Sequence, residues 1–173
     1  MDNVNISNDF VNKVKYQNPK HNKNIELNYS KVRDVASPQF GTNGSAGFDV
    51  FIPNEFKYVE FHPNESVKVP TGLKFNIPDG YVLIFFNKSG IASKKSLVLG
   101  ACVIDSDYQG EVIVNLHNIG QSSVVLNAGD PIAQLIMYEL PKVNLKEVLI
   151  DNLYKEVTDR GEGGFGSTFE VKG

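Results

Sequence analysis

The chain has 173 residues, enough for one domain with a substantial core, and its 41% hydrophobic and 21% charged content is that of a water-soluble globular protein. A formal net charge of −3 gives no general attraction to nucleic acid or anionic lipid, so neither a nucleic-acid nor a membrane partner is expected. The one cysteine, Cys102, leaves no disulfide framework and points to a reducing, cytoplasmic setting.

Residues 1–22 are rich in Asn and Lys and lack the apolar stretch of a secretory signal. They read as an arm outside a β domain that spans residues 23–158. From Ile25 the pattern becomes short and two-fold: NIELNYSK, GFDVFI, EFKYVEFH, ESVKVPTG and LKFNI follow one another between Pro, Gly, Asn and Asp. YVLIFF, EVIVNLHN, SVVLN and PIAQLIMYEL continue the series, with YVLIFF apolar enough to be buried on both faces. Short β-branched and aromatic runs at this spacing predict an all-β jelly-roll-like sandwich or barrel. One short helix is expected over SGIASKK, Ser89–Lys95.

Several of these runs carry polar residues that a purely structural strand does not need. SAGFDV places a lone carboxylate, Asp49, in an apolar strand, and GDPIAQLIMYEL does the same with Gln134. NKSGIAS brings Lys88, Ser89 and Gly90 to the start of the helix, a cation, a hydroxyl and a glycine suited to an anion, although Ser89 also reads as a plain N-cap. GACVIDSDYQGE runs an apolar strand into Asp105, Asp107, Tyr108 and Gly110. Asp105, Asp107 and Gly110 fit a calcium loop, but Gln109 and Leu116 fill positions where such a loop needs acidic ligands. A hairpin turn at DYQG is the simpler reading, with Asp105 as a carboxylate at the core edge able to act as a general base for water. Cys102 reads as a small core residue, and no His/Cys cluster has zinc spacing.

The C-terminal stretch DRGEGGFGSTFEVKG spells G-x-G-x-x-G at Gly161, Gly163 and Gly166. A dinucleotide site needs a helix after that pattern, and too few residues follow for one. From this stretch alone residues 159–173 read as a frayed tail, with the rest of the chain left to decide.

Taken in order, SAGFDV, NKSGIAS, GACVIDSDYQGE, NAGDPIAQLI and DRGEGGFGST resemble the five motifs of the trimeric deoxyuridine triphosphatase (dUTPase) family, over about residues 25–169. The resemblance implies magnesium-dependent hydrolysis of dUTP to dUMP and pyrophosphate, which limits uracil in DNA and supplies dUMP for thymidylate synthesis. It implies a homotrimer of jelly-roll-like domains with active sites shared between subunits, and a C-terminal arm that closes over nucleotide. By the same resemblance Asp105 matches the general base and Tyr108 the aromatic residue under the deoxyribose. The backbone near Val103, Ile104 and Gly110 would read the uracil edge. Lys88, Ser89, Gly90 and Gln134 match phosphate ligands. Arg160, Ser167 and Thr168, with Gly166 for flexibility, would hold the terminal phosphate while Phe165 stacks on the base. Asp49 matches a carboxylate that meets hydrated Mg2+ through water, the metal being held mainly by the triphosphate.

The chain departs from the family pattern at three places. Asn87-Lys88 replaces Pro-Arg, so the phosphate loses a planar fork. Pro131 stands where Arg is common, and Phe169 where Gly is usual. Three other readings stay open at this stage. They are the related dCTP deaminase branch, a dUTP-binding regulatory protein with weak catalysis, and a capsid-like structural jelly roll.

Overall fold

The computed structural model of the chain describes residues 25–164. The chain divides into two compact units, the first ending at Pro141 and the second beginning at Lys142. All twelve strands and the one α-helix among the described residues belong to the first. None of the described helices is long and apolar enough to cross a membrane.

The alternating runs become strands in order. They are β1 (Asn28–Lys31), β2 (Gln39–Phe40), β3 (Phe48–Phe51), β4 (Tyr58–Phe61), β5 (Ser66–Pro70), β6 (Leu73–Asn76) and β7 (Tyr81–Phe86). After α1 (Ser89–Lys95) come β8 (Leu97–Leu99), β9 (Val103–Ile104), β10 (Ile113–Asn118), β11 (Val124–Asn127) and β12 (Pro131–Glu139). The largest sheet has the order β2-β3-β12-β7-β9, a second has β5-β10-β8, and β1-β6 and β11-β4 form two-stranded ribbons. Every strand pairing among the described residues is antiparallel, in keeping with a jelly-roll-like fold of short strands.

Two-residue periodicity explains which side chains go inside. Leu73 and Phe75 of β6 are buried while Lys74 and Asn76 are exposed. Val114 and Leu116 of β10 enter the same core as Phe61, Ile52, Leu83, Leu126 and Leu135. Two buried polar residues find full partners. Asn118 donates from Nδ2 to the Phe61 and Ser122 carbonyls, at 2.9 Å each, and its Oδ1 accepts the Gly120 amide at 2.9 Å. Thr71 donates from Oγ1 to the Val112 carbonyl at 2.7 Å. No buried side-chain polar atom among the described residues lacks a partner.

Three local expectations change. YVLIFF is an interior strand, but only Val82, Leu83 and Phe85 are buried; Phe86 is exposed at its end. Ser89 is the first helical residue rather than the cap. Lys88 holds the N-cap position with extended backbone and makes no side-chain cap. The 105–111 stretch does not join a hairpin: β9 pairs with β7, whereas β10 pairs with β5 and β8, so the link passes from one sheet to the other. Its tight turn is Asp105–Tyr108, closed by the Tyr108 amide on the Asp105 carbonyl at 3.1 Å, and not DYQG.

Among its described residues the second unit contains one 3-10 turn, Ile150–Asn152, and otherwise irregular chain. Leu145, Leu149, Ile150, Tyr154 and Val157 are all exposed there.

Gly72 has φ +71°, and a Cβ placed on it would lie 2.9 Å from Arg33 Cβ and from Val35 Cγ1. Gly72→Ala therefore combines left-handed strain with a clash against buried Val35 and should cost about 2 kcal/mol or more in equilibrium denaturation. A loss within experimental error would show that the 71–73 segment relaxes freely.

Candidate active site

The sequence-selected residues gather in two clusters of the first unit. Strand register builds the first. β12 lies between β3 and β7, so Gln134 stands opposite Asp49 on one side and Phe86 on the other. Phe86 leads directly into Asn87 and Lys88, and Lys88 turns back so that its Nζ donates to Asp49 Oδ1 at 2.6 Å. Both side chains are mostly covered, at 25% and 18% exposed, which strengthens their attraction over that of a fully solvated pair. Gln134 Nε2 donates to the Asn87 carbonyl at 3.0 Å and ties the same corner together. Ser89 and Gly90 follow in the exposed first turn of α1, where backbone amides have no helical partner. The result is a covered cation flanked by amide and hydroxyl donors, an arrangement suited to a polyphosphate.

The second cluster lies on the link between β9 and β10. A cavity of about 170 Å3 is lined by Phe85, Cys102, Val103, Ile104, Asp105 and Tyr108, among others. Ile104 is buried and anchors the strand, while Asp105 immediately after it is exposed. The Tyr108 hydroxyl donates to the Glu111 carbonyl at 2.9 Å, which lays the ring back along the turn. Gly110 makes this possible: a Cβ there would sit 2.3 Å from Tyr108 Oη. The wall of this cavity is largely apolar, with one carboxylate at its rim, as a flat polar base and a water to be activated would need. A larger hollow of about 400 Å3, lined by Lys94, Lys95, Gln121 and Ser122 among others, contains none of the sequence-selected residues.

The two clusters leave β7 in opposite directions. Ile104 pairs with Leu83 and Val103 with Ile84, so the strand leaves toward Asp105 in the direction away from Phe86. Phe86 is three residues beyond Leu83, about 10 Å along the strand, and Lys88 lies further still.

Arg160, in the second unit, turns on itself: its Nε donates to the Gly163 carbonyl at 2.9 Å, and Gly161 has φ +50°. Phe165, Gly166, Ser167 and Thr168 lie outside the described residues, as do residues 1–24. Among the described residues no group of three His, Cys, Asp or Glu side chains is placed to hold a metal ion. A lone Asp49 already paired with a lysine does not make a metal cage, but it fits a metal that arrives on a triphosphate and is met through water.

Sequence reading missed a third group. Arg33 forms a bidentate pair with Glu111, Nε to Oε1 at 2.6 Å and Nη2 to Oε2 at 3.1 Å, and also bonds Glu55. Its guanidinium carbon lies 5.8 Å from the centre of the Phe56 ring. The visible hint was Glu111 itself, a carboxylate set against the buried Val112. Partial burial pushes the Glu111 carboxyl up, but the Arg33 hydrogen bonds, the Gly72 amide and the charges of Arg33 and Lys74 outweigh it and hold it below the usual carboxylate range.

Three comparisons with known proteins bear on this geometry. A family model described as dUTPase matches residues 33–169. The chain is 40% identical over 142 residues to the deoxyuridine 5'-triphosphate nucleotidohydrolase of Burkholderia cenocepacia, covering 80% of this chain and 92% of that protein. A mutant dUTPase of Staphylococcus bacteriophage 80alpha, solved with dUpNHpp, superposes with a TM-score of 0.73 at 25% identity, covering 83% of this chain and 98% of that one. A mutant dUTPase of the Staphylococcus aureus phage phi11, described as coordinating a structural Mg(II) ion, superposes with a TM-score of 0.65 at 24% identity, covering 72% and 97%.

Glu111 gives a signed pH prediction. A carboxyl with a depressed folded-state pKa stabilises the fold fully above its unfolded value of 4.5, and that contribution is lost as pH falls through the lower folded value. Melting temperature should therefore fall more steeply between about pH 6 and pH 3 for the native chain than for Glu111→Gln. Parallel curves would mean that the Arg33 pair contributes nothing to acid stability.

Proposed function

The chain belongs to the dUTPase family, and from that premise we propose that it hydrolyses dUTP to dUMP and pyrophosphate, with Asp105 activating the attacking water. The observation that carries the assignment of roles is the cavity whose lining brings Asp105 and Tyr108 together with Val103 and Ile104. Uracil enters this cavity and is read by the backbone around Val103, Ile104 and Gly110. A close fit there leaves no space for the thymine methyl. The Tyr108 ring lies against the deoxyribose and leaves no room for a 2′-hydroxyl. Asp105 takes a proton from water as the water oxygen bonds to the α-phosphorus. The bond from that phosphorus to the bridging oxygen breaks, and pyrophosphate leaves with the electron pair.

Lys88, Ser89, Gly90 and Gln134 hold the phosphates. Lys88 serves as a point charge steadied by Asp49, in place of a guanidinium fork. Magnesium bound to the triphosphate would neutralise its charge, and Asp49 is the described carboxylate beside the phosphate cluster able to meet the metal's waters. Arg160, Phe165, Gly166, Ser167 and Thr168 form the closing arm, residues 159–173, with Phe165 stacked on the base. Its glycines would let the backbone approach the phosphates closely.

A homotrimer with shared sites accounts for two features of the single chain. The Gln134–Lys88 cluster joins the Phe86 end of β7 while the Asp105 turn leaves in the opposite direction, which supports sites that take their base pocket and their phosphate ligands from different copies. Apolar residues of 142–157 stand exposed in a segment with little burial of its own, as expected of surface that a neighbouring copy covers. The site of action is the cytoplasm, that of the host if the gene is viral.

Pyrophosphate release should be followed with magnesium and, separately, dUTP, dTTP, dCTP and UTP. dUTP should be turned over far faster than the other three. Asp105→Asn should bind dUTP as the native chain does and lose roughly 100-fold or more of kcat, because the base is gone while the pocket survives. Turnover of that variant near the native rate would remove Asp105 from the role of base. Tight dUTP binding by the native chain without turnover would replace the enzyme with a dUTP-responsive regulator.

A further inference from the structure

We propose that Arg33 and Glu111 form a clamp that sets the Tyr108 ring and thereby governs the discrimination of deoxyribose from ribose. The inference rests on the reading of Tyr108 as the sugar contact. It concerns residues outside the cavity.

The clamp is built from segments far apart in sequence. Arg33, just after β1, grips both carboxylate oxygens of Glu111, 78 positions away, through Nε and Nη2. Glu111 Oε1 also accepts the Gly72 amide at 2.8 Å. The Gly72 carbonyl in turn accepts the Val32 amide at 2.8 Å, which brings the Arg33 segment alongside. Next to Glu111, the Val112 amide donates to the Leu73 carbonyl at 2.9 Å and the Thr71 amide donates to the Val112 carbonyl at 3.1 Å. Glu55 and the face of Phe56 complete the seat of the guanidinium. Residue 111 is thus held from its side chain, and residue 112 from its backbone.

The Tyr108 hydroxyl donates to the Glu111 carbonyl, so the ring takes its bearing from this clamped residue. The segment between has few other restraints: Asp105, Ser106, Asp107, Tyr108 and Gln109 are all exposed. Tyr108 itself is 45% exposed, so packing alone does not fix it. An exposed ring on an exposed turn can exclude a single hydroxyl from a substrate only if something else sets its position. The path Arg33–Glu111–Tyr108 Oη supplies that setting. Surface ion pairs add little stability on average. The clamp's consequence therefore lies in position more than in melting temperature. Arg33 and Glu111 are positioning residues, acting through Tyr108 without touching nucleotide.

The test compares dUTP with UTP as substrates for the native chain, Glu111→Gln, Tyr108→Phe and the double variant. Glu111→Gln should raise KM for dUTP about tenfold, change kcat by less than about twofold, and lower the kcat/KM preference for dUTP over UTP about tenfold. Tyr108→Phe should lower that preference by a similar factor. The double variant should fall little below either single one, because both substitutions cut the same path. If Glu111→Gln does not fold, Arg33→Lys takes its place in the cycle; it keeps the charge, loses the fork, and should lower the preference by a smaller factor. A lowered melting temperature with the preference unchanged, or fully additive losses in the double variant, would overturn the clamp. A native chain that hydrolyses dUTP and UTP alike would instead overturn the underlying reading of Tyr108.

Discussion

The antiparallel register of β7 is the constraint on which the rest depends. This strand is flanked by β12 on one side and β9 on the other. Gln134 sits opposite Phe86, and Ile104 sits opposite Leu83. Those two pairings send the Lys88, Asp49 and Gln134 cluster to one end of the strand and the Asp105 turn away from it. A slip of one residue would turn Leu83 and Phe85 out of the core, so burial locks the register. The same burial that stabilises the fold therefore sends the two candidate clusters in opposite directions along β7.

Much of the fold was legible because short amphipathic strands leave a plain two-residue pattern. The limits of α1 were also visible, since Ser89–Lys95 breaks that pattern between β7 and β8. β2 has only two residues, too short for any period to register. The 105–111 link looked like a hairpin because turn residues lie between two apolar runs. Whether those runs pair with each other or with other strands depends on the rest of the sheet, which local sequence does not encode.

The candidate site residues were legible as polar exceptions beside apolar runs, as with Asp49, Asp105 and Gln134. Their partners were not. Lys88 meets Asp49 across 39 positions and Arg33 meets Glu111 across 78, and such pairs come into being only when the sheets assemble. The Lys88–Asp49 pair also changes the meaning of Asp49. That carboxylate read as a contact for hydrated metal, and in the fold it first serves to hold the cation that stands where the family has arginine. The two roles are compatible when a substrate-borne metal approaches through water.

Subunit complementation tests most directly whether one chain's base pocket works with another chain's phosphate cluster. Asp105→Asn and the double variant Lys88→Ala/Gln134→Ala would each be inactive alone, and the two are co-assembled in equal amounts. Random mixing should restore dUTP hydrolysis to about one quarter of the native rate per site, because some sites then draw an intact Asp105 and an intact phosphate cluster from different copies. Mixed assemblies as inactive as their parents would contradict the account and require both clusters of a site to come from a single chain.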